Sequence, residues 1–124
     1  MLEAFLWLSL NVYHEARGES HMGQMAVAHV TLNRAASSGE SIKEVVNKPF
    51  QFTWTMQSSE TKWPGDFSAF TESMRAVIDA VEGYDFTMGA NHYHNGTVKP
   101  EWAKEMKYIG TIDNHLFYRG FYFK

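Results

Sequence analysis

The feature that most constrains this chain is its opening, LEAFLWLSLNVY, which runs without a break into HEARGES. Leu2, Phe5, Leu6, Leu8, Val12 and Tyr13 are dense enough to bury most of a helix's circumference, so residues 2–16 are expected to form a central helix with other elements wrapped around it. The stretch carries Glu3, lacks a basic leader and has no small-residue cleavage site, so it reads as a buried helix and not as a secretory signal. It is also shorter than the roughly 20 apolar residues that a membrane span needs. With 124 residues in all, the whole of 1–124 is expected to form one domain around that helix.

The rest of the pattern is mostly helical. GQMAVAHVTLNRAA predicts a second helix with Met25, Ala28, Val30, Leu32 and Ala35 at helical spacing, and Gly18 separates it from the first. The two helices therefore meet at ARGES, with Glu15 at their junction. Ser41 with Glu44 three places on is a capping-box pattern that predicts a short helix over 42–48, ended by Pro49. FQFTWT suits an extended segment or partly buried loop. In FSAFTESMRAVIDAVEG the set Phe67, Phe70, Met74, Val77, Ile78 and Val81 recurs at three and four and predicts an amphipathic helix stopped by Gly83. The remainder, with an Asn95-Gly96 turn, a KPE helix start and alternating aromatics, predicts a small antiparallel sheet or paired loops around a short helix.

Composition narrows the function classes. A formal charge of −3 argues against nucleic acid as a partner, and the absence of cysteine removes both a disulfide framework and a thiol nucleophile. Six histidines raise a metal reading. His92 and His94 lie on one side of a strand, and His115 can join them to give three nitrogens suited to zinc; the alternative is a set of polar aromatics lining a cleft. The HExxH spacing fails at Gly18, and no GxSxG elbow is present for a serine nucleophile.

Glu15 is the sharper candidate. Glycoside cleavage needs a carboxylic acid that stays protonated near neutral pH, and an apolar, aromatic setting at a helix C-terminus raises a carboxyl's proton affinity in that direction. Arg17, if directed at Glu15, would hold it ionised. The bland alternative is a solvated charge at a helix end. Glu19 reads as a first-turn charge of the second helix.

Taken in order, YHEARGES, GQMAVAHVTLNRA, FQFTW, GANHYHN and IGTIDNHLFYR resemble the SleB-type cell wall hydrolase family, the catalytic domain of spore-cortex-lytic enzymes and of related bacterial and phage peptidoglycan hydrolases. The resemblance implies an α+β, mostly α, lysozyme-like or lytic-transglycosylase-like fold with a small β portion. It places the family's catalytic acid on Glu15, cutting between N-acetylmuramic acid and N-acetylglucosamine to leave an anhydro end. A hydrolytic muramidase and a non-catalytic glycan-binding module are the alternatives. It further implies substrate-binding or acid-positioning roles for Glu19, Gln51, Phe52, Thr53, Tyr93, Asn95 and His115. Packing is the competing role for Phe52, and a buried hydrogen-bonding role competes for His115. No cofactor or metal is called for; the partner is bacterial peptidoglycan, with no stable membrane insertion and a monomer expected. Ser20 and Gly96 stand where the family often has Pro, which predicts more mobile loops at both places. A catalytic core of this kind fits a phage endolysin-like enzyme, made in the cytoplasm without a signal peptide and reaching the wall through a lysis or export system.

Overall fold

The computed structural model describes residues 2–48, 51–57 and 62–120. Four helices and a three-stranded sheet account for most of them: α1 (Leu2–Ala16), α2 (His21–Ser38), α3 (Ile42–Asn47), α4 (Phe67–Glu82), β1 (His92–Asn95), β2 (Lys107–Ile112) and β3 (His115–Arg119). Pro49, which was expected to end α3, lies outside the described residues, as do Phe50, residues 58–61 and the final aromatics.

Helix α1 is central, as its apolar density requires. Leu8, Val12 and Ala16 pack into one cluster with Ala26, Val27, Ala28 and Val30 of α2, Val77 and Ala80 of α4, Ala90, and Phe117 of β3. Leu10 and Tyr13, a quarter to half a turn round the helix, enter a second cluster with Val46 of α3, Phe52, Trp54 and Phe70. The polar residues that α1 takes inside are paired across it. Asn11 donates to Thr31 Oγ1 at 3.1 Å and accepts from the Trp54 indole at 2.9 Å, which joins α1 to α2 and to the segment beyond α3.

The capping box at Ser41 forms as its spacing predicts, with Ser41 N–H donating to Glu44 and Glu44 N–H donating back to the Ser41 hydroxyl. Two expectations change. The segment FQFTWT is not extended beyond Phe52, because Thr53–Met56 form a 3-10 turn that carries the Trp54 ring inward to Asn11. In α4 the buried face is Phe70, Ser73, Ala76, Val77 and Ala80, whereas Phe67, Ile78 and Val81 are exposed. Small residues let α4 approach α1 and α2 closely, and Ser73 donates to Gln24 Oε1 at 3.1 Å; larger apolar side chains are left outside.

The sheet is antiparallel, in the order β1-β3-β2. Its hairpin turn falls at Asp113–Asn114, with Asp113 in the left-handed region (φ 52°). The Asn95-Gly96 turn instead leads into a long connection containing a 3-10 turn over Glu101–Glu105, where the KPE start predicts a helix. Register sets which residues face the helices. Tyr93 pairs with Phe117 and Asn95 with His115 on one face, while His92 and His94 lie on the other, opposite Tyr118 and Leu116.

Candidate active site

Glu15 sits in the last turn of α1, partly buried, where the helix meets the inner face of the sheet. The Tyr93 hydroxyl donates to Glu15 Oε1 at 2.7 Å. Tyr93 is held in place by two rings of β3: its centroid lies 5.1 Å from His115, edge-on at 84°, and 5.8 Å from Phe117.

Burial pushes the Glu15 carboxyl above its ordinary value, and this outweighs the Tyr93 hydrogen bond and the charges of His115, Arg34 and His14, which all pull it down. The same burial, with Glu15 beside it, raises the Tyr93 phenol well above its usual range, so Tyr93 is a hydrogen-bond donor throughout the physiological pH range. Arg17 does not compete for Glu15. Its guanidinium lies over the Tyr13 ring, 4.8 Å from the centroid, and donates to the Tyr13 hydroxyl. Tyr13 in turn accepts from Asp66 N at 3.1 Å, so the Tyr13 hydroxyl, flanked by Arg17, fastens α1 to the start of α4.

Arg34 is the buried cation of the site. Nε donates to the Asn91 carbonyl at 2.7 Å and Nη1 to Gln51 Oε1 at 3.1 Å, while the guanidinium lies 5.3 Å from the centre of the Phe52 ring. It thereby ties α2 both to the residue entering β1 and to the segment before Trp54. His14, next to Glu15, stacks on Trp54 at 4.5 Å and its Nε2–H donates to the Lys62 carbonyl at 2.7 Å.

The residues singled out by sequence divide by place. Glu15 and Tyr93 touch. His115 meets Tyr93 directly, and Glu19 lies 3.0 Å from His115 Nδ1, at ion-pair distance but not in hydrogen-bond alignment. Gln51 reaches the group through Arg34, and Phe52 is a packing residue, 3% exposed, beneath the same guanidinium. Asn95 is exposed and its side chain accepts from Thr97 N at 2.9 Å, so it shapes the turn after β1. The Thr53 side chain lies outside what is described.

Three histidines do not converge. His115 is on the inner face of the sheet, whereas His92 and His94 are on the outer face against Trp102, at 5.0 and 5.7 Å, and His94 stacks on Tyr118 at 5.3 Å. Burial, with Arg34 nearby, pushes His92 down to about 4. Among the described residues no group of three or more His, Asp or Glu is placed to hold a metal ion.

Sequence reasoning missed the supports. Gln24 Nε2 donates to the Glu19 carbonyl at 3.2 Å, and Ser20 N–H donates to Asp113 Oδ2 at 2.8 Å while its hydroxyl caps α2 through Gly23 N. Gly96 N–H donates to the Asn114 carbonyl at 2.8 Å. A proline could make neither backbone bond, so Ser20 and Gly96, where looser loops are expected, instead anchor their loops to the hairpin turn. The Asp–Asn turn itself was the available signal.

An α-rich, lysozyme-like fold with one desolvated carboxyl where a central helix meets a small sheet is the class that these features define. The chain belongs to the cell wall hydrolase family, whose model matches residues 18–118, and this bears out the SleB-type resemblance. Glu15 lies just upstream of the matched stretch, so its place in the site rests on the geometry. Spore cortex-lytic enzymes are similar in sequence. That of Halalkalibacterium halodurans is 36% identical over 109 residues, covering 86% of this chain and 32% of the relative, and that of Bacillus subtilis is 34% identical over 113 residues, covering 89% and 35%. The chain thus spans about a third of the length of these relatives. The solved catalytic domain of the germination-specific lytic transglycosylase SleB from Bacillus anthracis is 30% identical, with a TM-score of 0.80 over 96% of each chain. That of Bacillus cereus SleB is 31% identical, with a TM-score of 0.76 over 94% of this chain and 91% of the other.

Proposed function

We propose that this domain cleaves peptidoglycan glycan strands between N-acetylmuramic acid and N-acetylglucosamine as a lytic transglycosylase, with Glu15 as acid and then base and residues 1–124 acting as one catalytic unit. The observation that carries the reading is the Glu15 carboxyl itself: raised by burial, with Oε1 accepting from Tyr93, so that the acidic proton resides on Oε2. From there it is given to the glycosidic oxygen as the C1–O bond breaks and positive charge develops at C1. The muramic 6-hydroxyl then attacks C1 and returns a proton to the carboxylate, which closes the 1,6-anhydro ring and restores the acid. Tyr93 stabilises the carboxylate in between, because its hydrogen bond strengthens when the acceptor becomes charged.

This route needs one carboxyl group. Hydrolysis by a retaining or inverting route would use a second, and Glu19 has both oxygens occupied by the hairpin turn, Oε1 by Asn114 N and Oε2 by Asn114 Nδ2. The reading is further supported by the likeness to a lytic transglycosylase catalytic domain. Action as a monomer, delivered to the wall by a lysis or export system of endolysin type, is part of the same proposal; sizing the purified protein and locating it in cells during lysis or sporulation test those parts.

The deciding experiment is mass spectrometry of muropeptides released from purified peptidoglycan by the native chain and by Glu15→Gln. Anhydro-muropeptides that vanish in the variant are expected. Reducing ends would shift the assignment to a muramidase, and no release by the native chain would reopen the reading as a binding module.

A further inference from the structure

The hairpin turn grips the loop between α1 and α2. Ser20 N–H and hydroxyl both donate to Asp113 Oδ2, at 2.8 and 2.6 Å, and Asn114 N and Nδ2 donate to the two oxygens of Glu19 at 3.2 and 3.3 Å. Gly23 admits the Asp113 carboxylate to the first turn of α2, where a Cβ would collide with it. Inside this clasp Glu19 and His115 are nearly covered, with side chains 11% and 10% exposed and 3.0 Å apart. The far side of the His115 ring meets Tyr93 edge-on at 5.1 Å, and Tyr93 reaches Glu15 at 2.7 Å. A line of contacts therefore runs from the loop carboxylate to the reacting one.

We propose that Glu19 is a positioning residue for the reaction assigned to Glu15: by holding His115 against Tyr93, it fixes the hydroxyl that grips one oxygen of the Glu15 carboxyl. The proposal rests on the reading of Glu15 as the acid. Glu15 is faced by His14 on its own helix, Arg34 from α2, Tyr93 from β1 and His115 from β3; Glu19 is not among them, so its influence passes through His115. His115 is itself faced by Glu19 from the loop and by Asp113 from the turn. Both of the inner contacts on Glu15, the Tyr93 hydroxyl and the His115 charge, lower its carboxyl against the effect of burial, so loosening them moves it upward.

The test compares Glu19→Gln with the native chain and with Ser41→Ala, which weakens the α3 cap far from the site and matches for lost stability. Muropeptide release is followed against pH at fixed folded fraction, set from thermal melts. Glu19→Gln keeps one of the two acceptors that Asn114 N and Nδ2 use and removes the carboxylate beside His115, the lost clasp bond being matched by comparison at equal folded fraction. The expected result is a fall of about tenfold in kcat with KM within about twofold, and an alkaline limb of the kcat profile displaced upward, neither of which Ser41→Ala shows. Native kcat and profile in Glu19→Gln, or a loss no greater than that of Ser41→Ala at equal folded fraction, would overturn the proposal while leaving Glu15 as the acid. Retained turnover in Glu15→Gln would overturn the acid assignment and this proposal together.

Discussion

Tyr93→Phe tests the hydrogen bond on which the site turns. The substitution removes one oxygen and leaves the ring to pack against His115 and Phe117, so the fold should survive. What is lost is a 2.7 Å bond to a carboxyl that is charged during part of the cycle, and such bonds contribute about 1.5–3 kcal/mol against about 0.5–1.5 for neutral pairs. Because the bond is already made to the neutral acid, only the difference of about 1–1.5 kcal/mol falls on the barrier, which lowers kcat by roughly 5- to 13-fold. Stability follows with a definite sign. Burial raises Glu15, so the stability this group contributes is fully present below its unfolded value near 4.5 and is lost as pH rises through the higher folded value. Without Tyr93 the folded value moves further up and more is lost. The native chain should therefore melt a few degrees above the variant below pH 4.5, where only the neutral bond is lost, and by several degrees more at alkaline pH, since about 1 kcal/mol moves a domain of this size by roughly 3–6 °C. A constant separation across pH, or an unchanged kcat, would refute the coupling of Tyr93 to the ionisation of Glu15.

Three further outcomes follow from the same contacts. Glu15→Gln should abolish muropeptide release yet melt higher than the native chain at alkaline pH, because an amide carries no charge to be held out of water; the same pair of melts at acid pH should coincide. Arg34→Lys keeps the charge but cannot hold both the Asn91 carbonyl and Gln51, so it should lower the unfolding free energy in urea by about 2 kcal/mol and reduce kcat as β1 loosens from α2. Asn11→Ala leaves the Trp54 indole N–H without its acceptor in the core, and urea titration should show a loss of about 3 kcal/mol with little change in the pH profile of activity.

Most of the helices and the residue proposed as the acid were legible in the chain's own pattern. Helix α1 is legible because its apolar density buries residues 8–13 all round, with Leu2 and Leu6 left exposed at its start, and α3 because Ser41 and Glu44 satisfy each other's backbone within four residues. Glu15 is legible because a carboxyl at the end of such a helix is desolvated by what the helix itself must bury. Only the tertiary structure decided how that carboxyl is held. Strand register, a property of pairing between segments far apart in sequence, put Tyr93 and His115 on the face toward Glu15 and turned His92 and His94 away. Close packing of small residues turned the buried face of α4 toward Ser73, Ala76 and Ala80, keeping Phe70 and Val77 inside and leaving Phe67, Ile78 and Val81 outside. Arg17 and Arg34 are equally basic on the page, yet one lies on Tyr13 and the other beside the site, because a long side chain takes its direction from partners that arrive from other elements.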